Sequence, residues 1–204
     1  LRQDELIPLA QPYNNNPWEY EGEEEVSDMS ILPEDAVDWV LVELRTGEPS
    51  ISGFPTTVLD QSFAGILLTN GQIKAPDGSL IKIMVHEDAA YHILIRHRNH
   101  LNIISSNKID GAEYMSYDFT SSNDQALGLF QQLILPNGMA AMYAGDMLPD
   151  GIIQVSDFST WKENPAMLDA YGPTDSNLDG IIQVSDSDLW FLNKARNGIA
   201  EVRF

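Results

Sequence analysis

Twelve residues from Asp175 to Asp186, DSNLDGIIQVSD, carry oxygen-bearing side chains at the first, third, fifth, ninth and twelfth positions. Asp175, Asn177, Asp179, Gln183 and Asp186 supply them, and Ile181 adds a main-chain carbonyl at the seventh. Gly180 stands at the sixth, where such a loop must turn sharply. This donor set suits a hard dication: calcium takes six to eight oxygens at about 2.3–2.6 Å, and EF-hand-type spacing brings them to one point. The pattern also occurs 29 positions earlier, as DMLPDGIIQVSD, with Asp146, Asp150, Gly151, the Ile152 carbonyl, Gln154 and Asp157 in the matching places. Leu148 occupies the third position there, where an oxygen is expected, so the first loop should bind calcium more weakly. Both loops end in Asp rather than the Glu of an EF-hand, and the shorter side chain needs a closer backbone. One such loop alone would read as an acidic turn and helix cap. The duplication, with glycine at one position and Ile at the eighth, favours two calcium ions.

The four histidines, His86, His92, His97 and His100, fall in one short stretch. If YHILIRHRNH is a strand, His92, Leu94, Arg96, Arg98 and His100 share one face and His97 the other. Two arginines then stand between His92 and His100, which disfavours a bound metal. The stretch reads instead as a basic strand end making hydrogen bonds or ion pairs in an acidic protein, with the Glu21–Glu25 run as a candidate partner. Arg96, Arg98 and Asn99 are also suitable donors to a carbohydrate or carboxylate, and are candidate ligand contacts. No G-x-S-x-G, H-E-x-x-H, cysteine or Gly-rich phosphate loop is present, so no catalytic machinery is legible and a non-enzymatic role is expected.

Each loop runs into helix-compatible sequence, VSDFSTWKEN and VSDSDLWFLNKARNG. Ser156 or Asp157, and Ser185 or Asp186, are expected to cap these helices, with Pro165 and Gly198 marking their ends. Val155, Phe158 and Trp161 correspond to Val184, Ser187 and Trp190, which puts the tryptophans on equivalent faces to pack between the helices. Upstream, residues 1–30, with their prolines and the Glu21–Glu25 run, read as an acidic extended lead-in. Short β-rich runs over 31–122, punctuated by Asn70-Gly71 and Asp77-Gly78, predict an antiparallel, Ig-like β-sandwich. In AVDWVLVEL neither face is cleanly polar, so this strand should be central and covered on both sides. Residues 123–140, including the ambiguous Asp124–Pro136 segment, are a connector, and 141–204 form the calcium-binding part. The fold expected is mainly β with a small α C-terminal part.

Thirty-one acidic against 11 basic side chains give a net charge of −20, which repels nucleic acid and anionic membrane surfaces. No run approaches the eighteen or so apolar residues of a membrane helix, so no membrane insertion is expected. Zero cysteines exclude disulfides without fixing a compartment. A start at Leu1, with no leader, suggests a mature product or a piece of a longer chain.

A loop of the form D-x-N-x-D-G-x-I-x-x-x-D leading into a helix, in duplicate and without the EF-hand's entering helix, resembles the dockerin type I repeat over about residues 141–197. LIPLAQPY at Leu6–Tyr13, AVDWVLVELR at Ala36–Arg45, IRHRNHL at Ile95–Leu101 and YAGD at Tyr143–Asp146 are together similar to the C-terminal region of haemagglutinin-like secreted or cell-surface proteins of Bacteroidetes. These resemblances imply a non-catalytic β-sandwich with paired calcium loops, exported and engaged in adhesion or assembly. The partner is a protein or a surface glycan. The rival expectation is a carbohydrate-binding accessory module of a secreted enzyme, with Trp18, Tyr20 or Tyr91 as sugar platforms.

Overall fold

In the computed structural model, which describes residues 1, 5–164 and 166–204, the chain is mainly β with two short α-helices. Strands β1 (Ala36–Thr46), β2 (Val58–Leu68), β3 (Ile73–Lys74), β4 (Ala90–Arg96) and β5 (Ile103–Ile104) form an antiparallel sheet in the order β3-β2-β1-β4-β5. A short β6 (Ile109–Asp110) pairs with the start of β4, while β7 (Leu133–Ile134) and β8 (Ala140–Ala141) make a separate two-stranded sheet.

The central place of β1 follows from its lack of a polar face. Trp39 and Leu41 point into a cluster with Ile7, Tyr13, Val26 and Leu32. Val40 and Val42 point the other way, into a cluster with Ile95 and Ile103 against which Phe119 and Met142 pack. The expectation of a strand covered on both sides is met. What covers the first face was less legible: residues 5–28 hold no helix or strand, yet Ile7 and Tyr13 are buried. The segment is anchored to β1 by polar bonds, since Trp39 Nε1 donates to the Pro8 carbonyl at 2.8 Å and Tyr13 Oη to the Trp39 carbonyl at 2.8 Å. The ambiguous Asp124–Pro136 segment holds the end of a 3-10 turn (Asn123–Gln125) and strand β7, and no α-helix.

The chain's end returns to the sheet. Ile199 and Val202 share a cluster with Leu94 and Ile104, and Glu201 between them is 1% exposed. Its carboxylate accepts hydrogen bonds from the main-chain nitrogens of Ser50 (2.9 Å), Thr56 (2.9 Å) and Thr57 (3.1 Å) and from the Thr57 hydroxyl. Burial alone would raise its pKa, but the bonds from Ser50, Thr57 and Thr56 outweigh that and hold it below the ordinary value of 4.5. A carboxylate depressed in the folded state contributes stability above its unfolded pKa and loses it as pH falls through the folded one. Urea unfolding at stepped pH should therefore show Glu201→Gln destabilising the chain near neutral pH, with the gap to the natural protein closing as pH falls below about 4. A gap independent of pH would contradict this role for the carboxylate.

Candidate metal centre

The two acidic loops lead into α1 (Val155–Glu163) and α2 (Val184–Asn193), and they fold by the same set of hydrogen bonds. The Asp at position 12 joins each helix start to its loop: Asp157 accepts from Gln154 N and Leu148 N, both at 2.8 Å, and Asp186 from Gln183 N at 2.8 Å and Asn177 N at 3.2 Å. At position 5, Asp150 accepts from Ile152 N (2.9 Å) and Gln154 Nε2 (3.1 Å), as Asp179 does from Ile181 N (2.8 Å) and Gln183 Nε2 (3.4 Å). At position 1, Asp146 and Asp175 accept from Gly151 N (3.0 Å) and Gly180 N (3.2 Å). Those glycines sit at φ +83° and +81°, the left-handed region that disfavours any other residue.

The helix caps differ from expectation. Gln154 and Gln183 occupy the N-cap, whereas Asp157 and Asp186 lie one turn in and reach back to the cap nitrogen, so Ser156 and Ser185 are not the caps. The last α2 residue is Asn193 rather than one beside Gly198, and the stop expected at Pro165 lies outside the described residues. The tryptophans do pack between the helices. Phe158 stacks on Trp161 at 5.6 Å and on Trp190 at 4.7 Å. Each indole donates to the other repeat's cap carbonyl, Trp161 Nε1 to Gln183 at 3.2 Å and Trp190 Nε1 to Gln154 at 2.7 Å.

Asp146, Asp157, Asp175 and Asp186 are all fully buried. Burial, reinforced by Asp157 and Asp150, pushes the Asp146 carboxyl up to about 8. Burial likewise lifts Asp157 to about 6, against the bonds from Gln154 and Leu148, and Asp175 to about 6, against the pull of Arg98. Among the described residues Asp146 Oδ1 is buried with no hydrogen-bond partner. A buried carboxylate oxygen without a donor is costly unless a cation faces it. Among the described residues no three His, Cys, Asp or Glu side chains gather as a metal-binding group by themselves. The donor sets of the loops are mixed: carboxylates with the Gln154 or Gln183 amide, the Ile152 or Ile181 carbonyl and, in the second loop, Asn177. All are hard oxygen donors, the chemistry calcium takes, and the unpartnered Asp146 oxygen fits it. Leu148 offers no oxygen from its side chain, which is 46% exposed.

The basic stretch is folded inward. Strand β4 ends at Arg96, so the chain turns and the alternation expected through His100 breaks; His97 and His100, assigned to opposite faces, meet edge to face at 4.6 Å. Arg96 pairs with Glu43, and Arg98 Nε lies 2.8 Å from Asp38 Oδ2, so the partners are acids of β1 and not the Glu21–Glu25 run. Asn99 Nδ2 donates to the Asp175 carbonyl at 2.6 Å. The candidate ligand contacts Arg96, Arg98 and Asn99 are thus 6%, 4% and 0% exposed and committed to internal partners. His100 is held well below its ordinary value by burial, then by His97 and Arg98. Among the sugar platforms suggested by sequence, Tyr91 is fully buried, and Trp18 and Tyr20 pack partly buried against the sheet.

Sequence reasoning missed Asp38 and Tyr171. Asp38 is fully buried, accepts from Tyr171 Oη at 2.7 Å, and faces Arg98 and His97 Nε2, the latter at 3.3 Å. Burial opposes its ionisation, but Arg98, His97 and Tyr171 together hold its pKa below the ordinary carboxylate range. The available signal was an isolated acid inside the apolar run AVDWVLVEL.

No family model matches the chain, and no curated protein matches it. Two solved structures are similar, both type II cohesin–X–dockerin complexes from Acetivibrio cellulolyticus. An N-terminal interface mutant is 16% identical with a TM-score of 0.39, over 78% of this chain and 82% of that one. A C-terminal interface mutant is 17% identical with a TM-score of 0.40, over 85% and 90%. At these scores the likeness carries no argument about function. The resemblance read from the sequence is corrected: no family model matches the chain, so neither the dockerin type I repeat nor the haemagglutinin-like region stands as its family.

Proposed function

We propose that the chain is a non-catalytic interaction module of a secreted or cell-surface protein, made rigid by two structural calcium ions, one in each acidic loop. The observation that carries this reading is the unpartnered Asp146 Oδ1, buried among Asp150 and Asp157 in a loop whose other carboxylate oxygens accept hydrogen bonds, Asp150 Oδ2 from the Gln154 amide and the rest from main-chain nitrogens. Asp146, Asp150, Gln154, Asp157 and the Ile152 carbonyl would hold the first ion. Asp175, Asn177, Asp179, Gln183, Asp186 and the Ile181 carbonyl would hold the second. The ions supply positive charge to sites that otherwise crowd carboxylates together. Extracellular modules work with dissociation constants as weak as about 10⁻⁴–10⁻³ M, which agrees with a site on a secreted or displayed protein.

A protein partner is favoured by large apolar side chains left exposed on both helices, Val155 at 70%, Val184 at 64% and Leu192 at 74%. A net charge of −20 opposes nucleic acid, and among the described residues no helix is long and apolar enough to cross a membrane. Adhesion or assembly is the role this surface fits.

Limited proteolysis checks the structural role of the ions. With chelator present, cleavage should concentrate within residues 141–204 while the sheet of residues 36–104 resists; millimolar calcium should suppress those cuts. The same digestion pattern with and without calcium would refute a structural role.

A further inference from the structure

The two loops share a fold but not their surroundings. Asp175 Oδ2, at the first position of the second loop, lies 3.8 Å from Arg98 Nη2, whereas among the described residues no ion pair reaches Asp146, Asp150 or Asp157. Arg98 is 4% exposed and held from several sides. Its Nε is paired with Asp38, its Nη1 donates to the Gly172 carbonyl, and its guanidinium lies 4.2 Å over the Tyr171 ring. Tyr171 Oη is itself bonded to Asp38, so the cation is fixed to the sheet and cannot swing clear of the loop.

We infer that Arg98 is a built-in cation that competes with calcium at the second loop, making that loop the weaker of the two sites and tying its affinity to β1 through Asp38. This rests on the calcium reading above and reverses the order that Leu148 alone suggests. The Asn177 amide oxygen present in the second loop and absent from the first is a neutral donor that water replaces at modest loss. A buried guanidinium is a full charge that no water removes. Repulsion between a dication and a guanidinium a few ångströms apart is worth about tenfold in binding even at the dielectric of water, and more in a buried site. Asp146, by contrast, presents an oxygen with no donor and no cation against it among the described residues. Coupling is reciprocal, so calcium in the second loop should be felt at Arg98 and hence at Asp38.

The test is a calcium titration of the full chain by NMR, reading the amide signals of Gly151 and Gly180 as separate reporters of the two loops. In the natural protein Gly151 should saturate before Gly180. In the double variant Arg98→Gln with Asp38→Asn, which removes both charges of the buried pair so that neither is stranded, the Gly180 midpoint should move to at least about tenfold lower calcium. The Gly151 midpoint should move less than about threefold. Saturation of Gly180 first in the natural protein would overturn the inference without any variant. So would midpoints in the double variant that stay put or shift together, the mark of a general stability effect. If neither glycine responds to calcium in the natural protein, the calcium reading itself falls and takes this inference with it.

Discussion

Returning calcium to chelator-stripped protein is expected to raise its melting temperature by about 10–20 °C. An ion that binds only the folded state stabilises it by RT ln(1 + [L]/Kd), about 2.7 kcal/mol at a hundredfold excess over Kd, so two sites supply about 5 kcal/mol. For a chain of 204 residues, each kcal/mol is worth roughly 2–4 °C. The loops justify assigning the ions to the folded state alone. Their donors are placed by the folded loops, in which Gly151 and Gly180 take left-handed turns and Asp157 and Asp186 bond back to the helix starts. Magnesium, smaller and reluctant to give up its waters, should produce a much smaller shift. Scanning calorimetry with and without calcium checks this; a shift under about 2 °C with calcium at about a hundredfold excess over Kd would count against the account.

The second large effect is expected from Asp38→Ala, a loss of about 3–5 kcal/mol. Arg98 is buried, and removing its carboxylate leaves a guanidinium whose remaining counter-charge among the described residues is Asp175 at 3.8 Å. The Tyr171 hydroxyl and His97 lose a partner in the same step. The exposed pair between Lys108 and Glu48 is the contrast: Glu48 is 84% exposed, and Lys108→Ala should change stability by no more than about 1 kcal/mol. Urea unfolding at saturating calcium separates the two cases, and similar small values for both would show that the Asp38 network carries little.

The parts of this fold that were legible in the sequence are those set by local pattern. The apolar run of β1 announced a strand with two covered faces, and the Trp161 and Trp190 equivalence announced helices that pack on each other. The Asp, Gly and Gln spacing of the loops announced their turns, down to the glycines at positive φ. What was not legible depends on distant partners. Nothing local tells Ile7 and Tyr13 to enter the core from an irregular, proline-rich segment. Nothing near Arg96 or Arg98 names Glu43 or Asp38, more than fifty positions away, as their counter-charges. The strand containing the histidines was extended too far: the hydrogen-bond ladder ends at Arg96, and Arg98 and Asn99 turn inward to Asp38 and the Asp175 carbonyl, partners distant in sequence. The family resemblance rested on a twelve-residue repeat and a few short strings, and a motif that short records a loop geometry more securely than a lineage.

The central claim is tested most directly by counting ions. Calorimetric titration of chelator-stripped protein with calcium should give two sites for the natural sequence, one for Asp150→Ala, one for Asp179→Ala and none for the double variant. No binding heat in the natural protein, or a count unchanged by these substitutions, would contradict it and leave the repeated loops as turns that cap two helices.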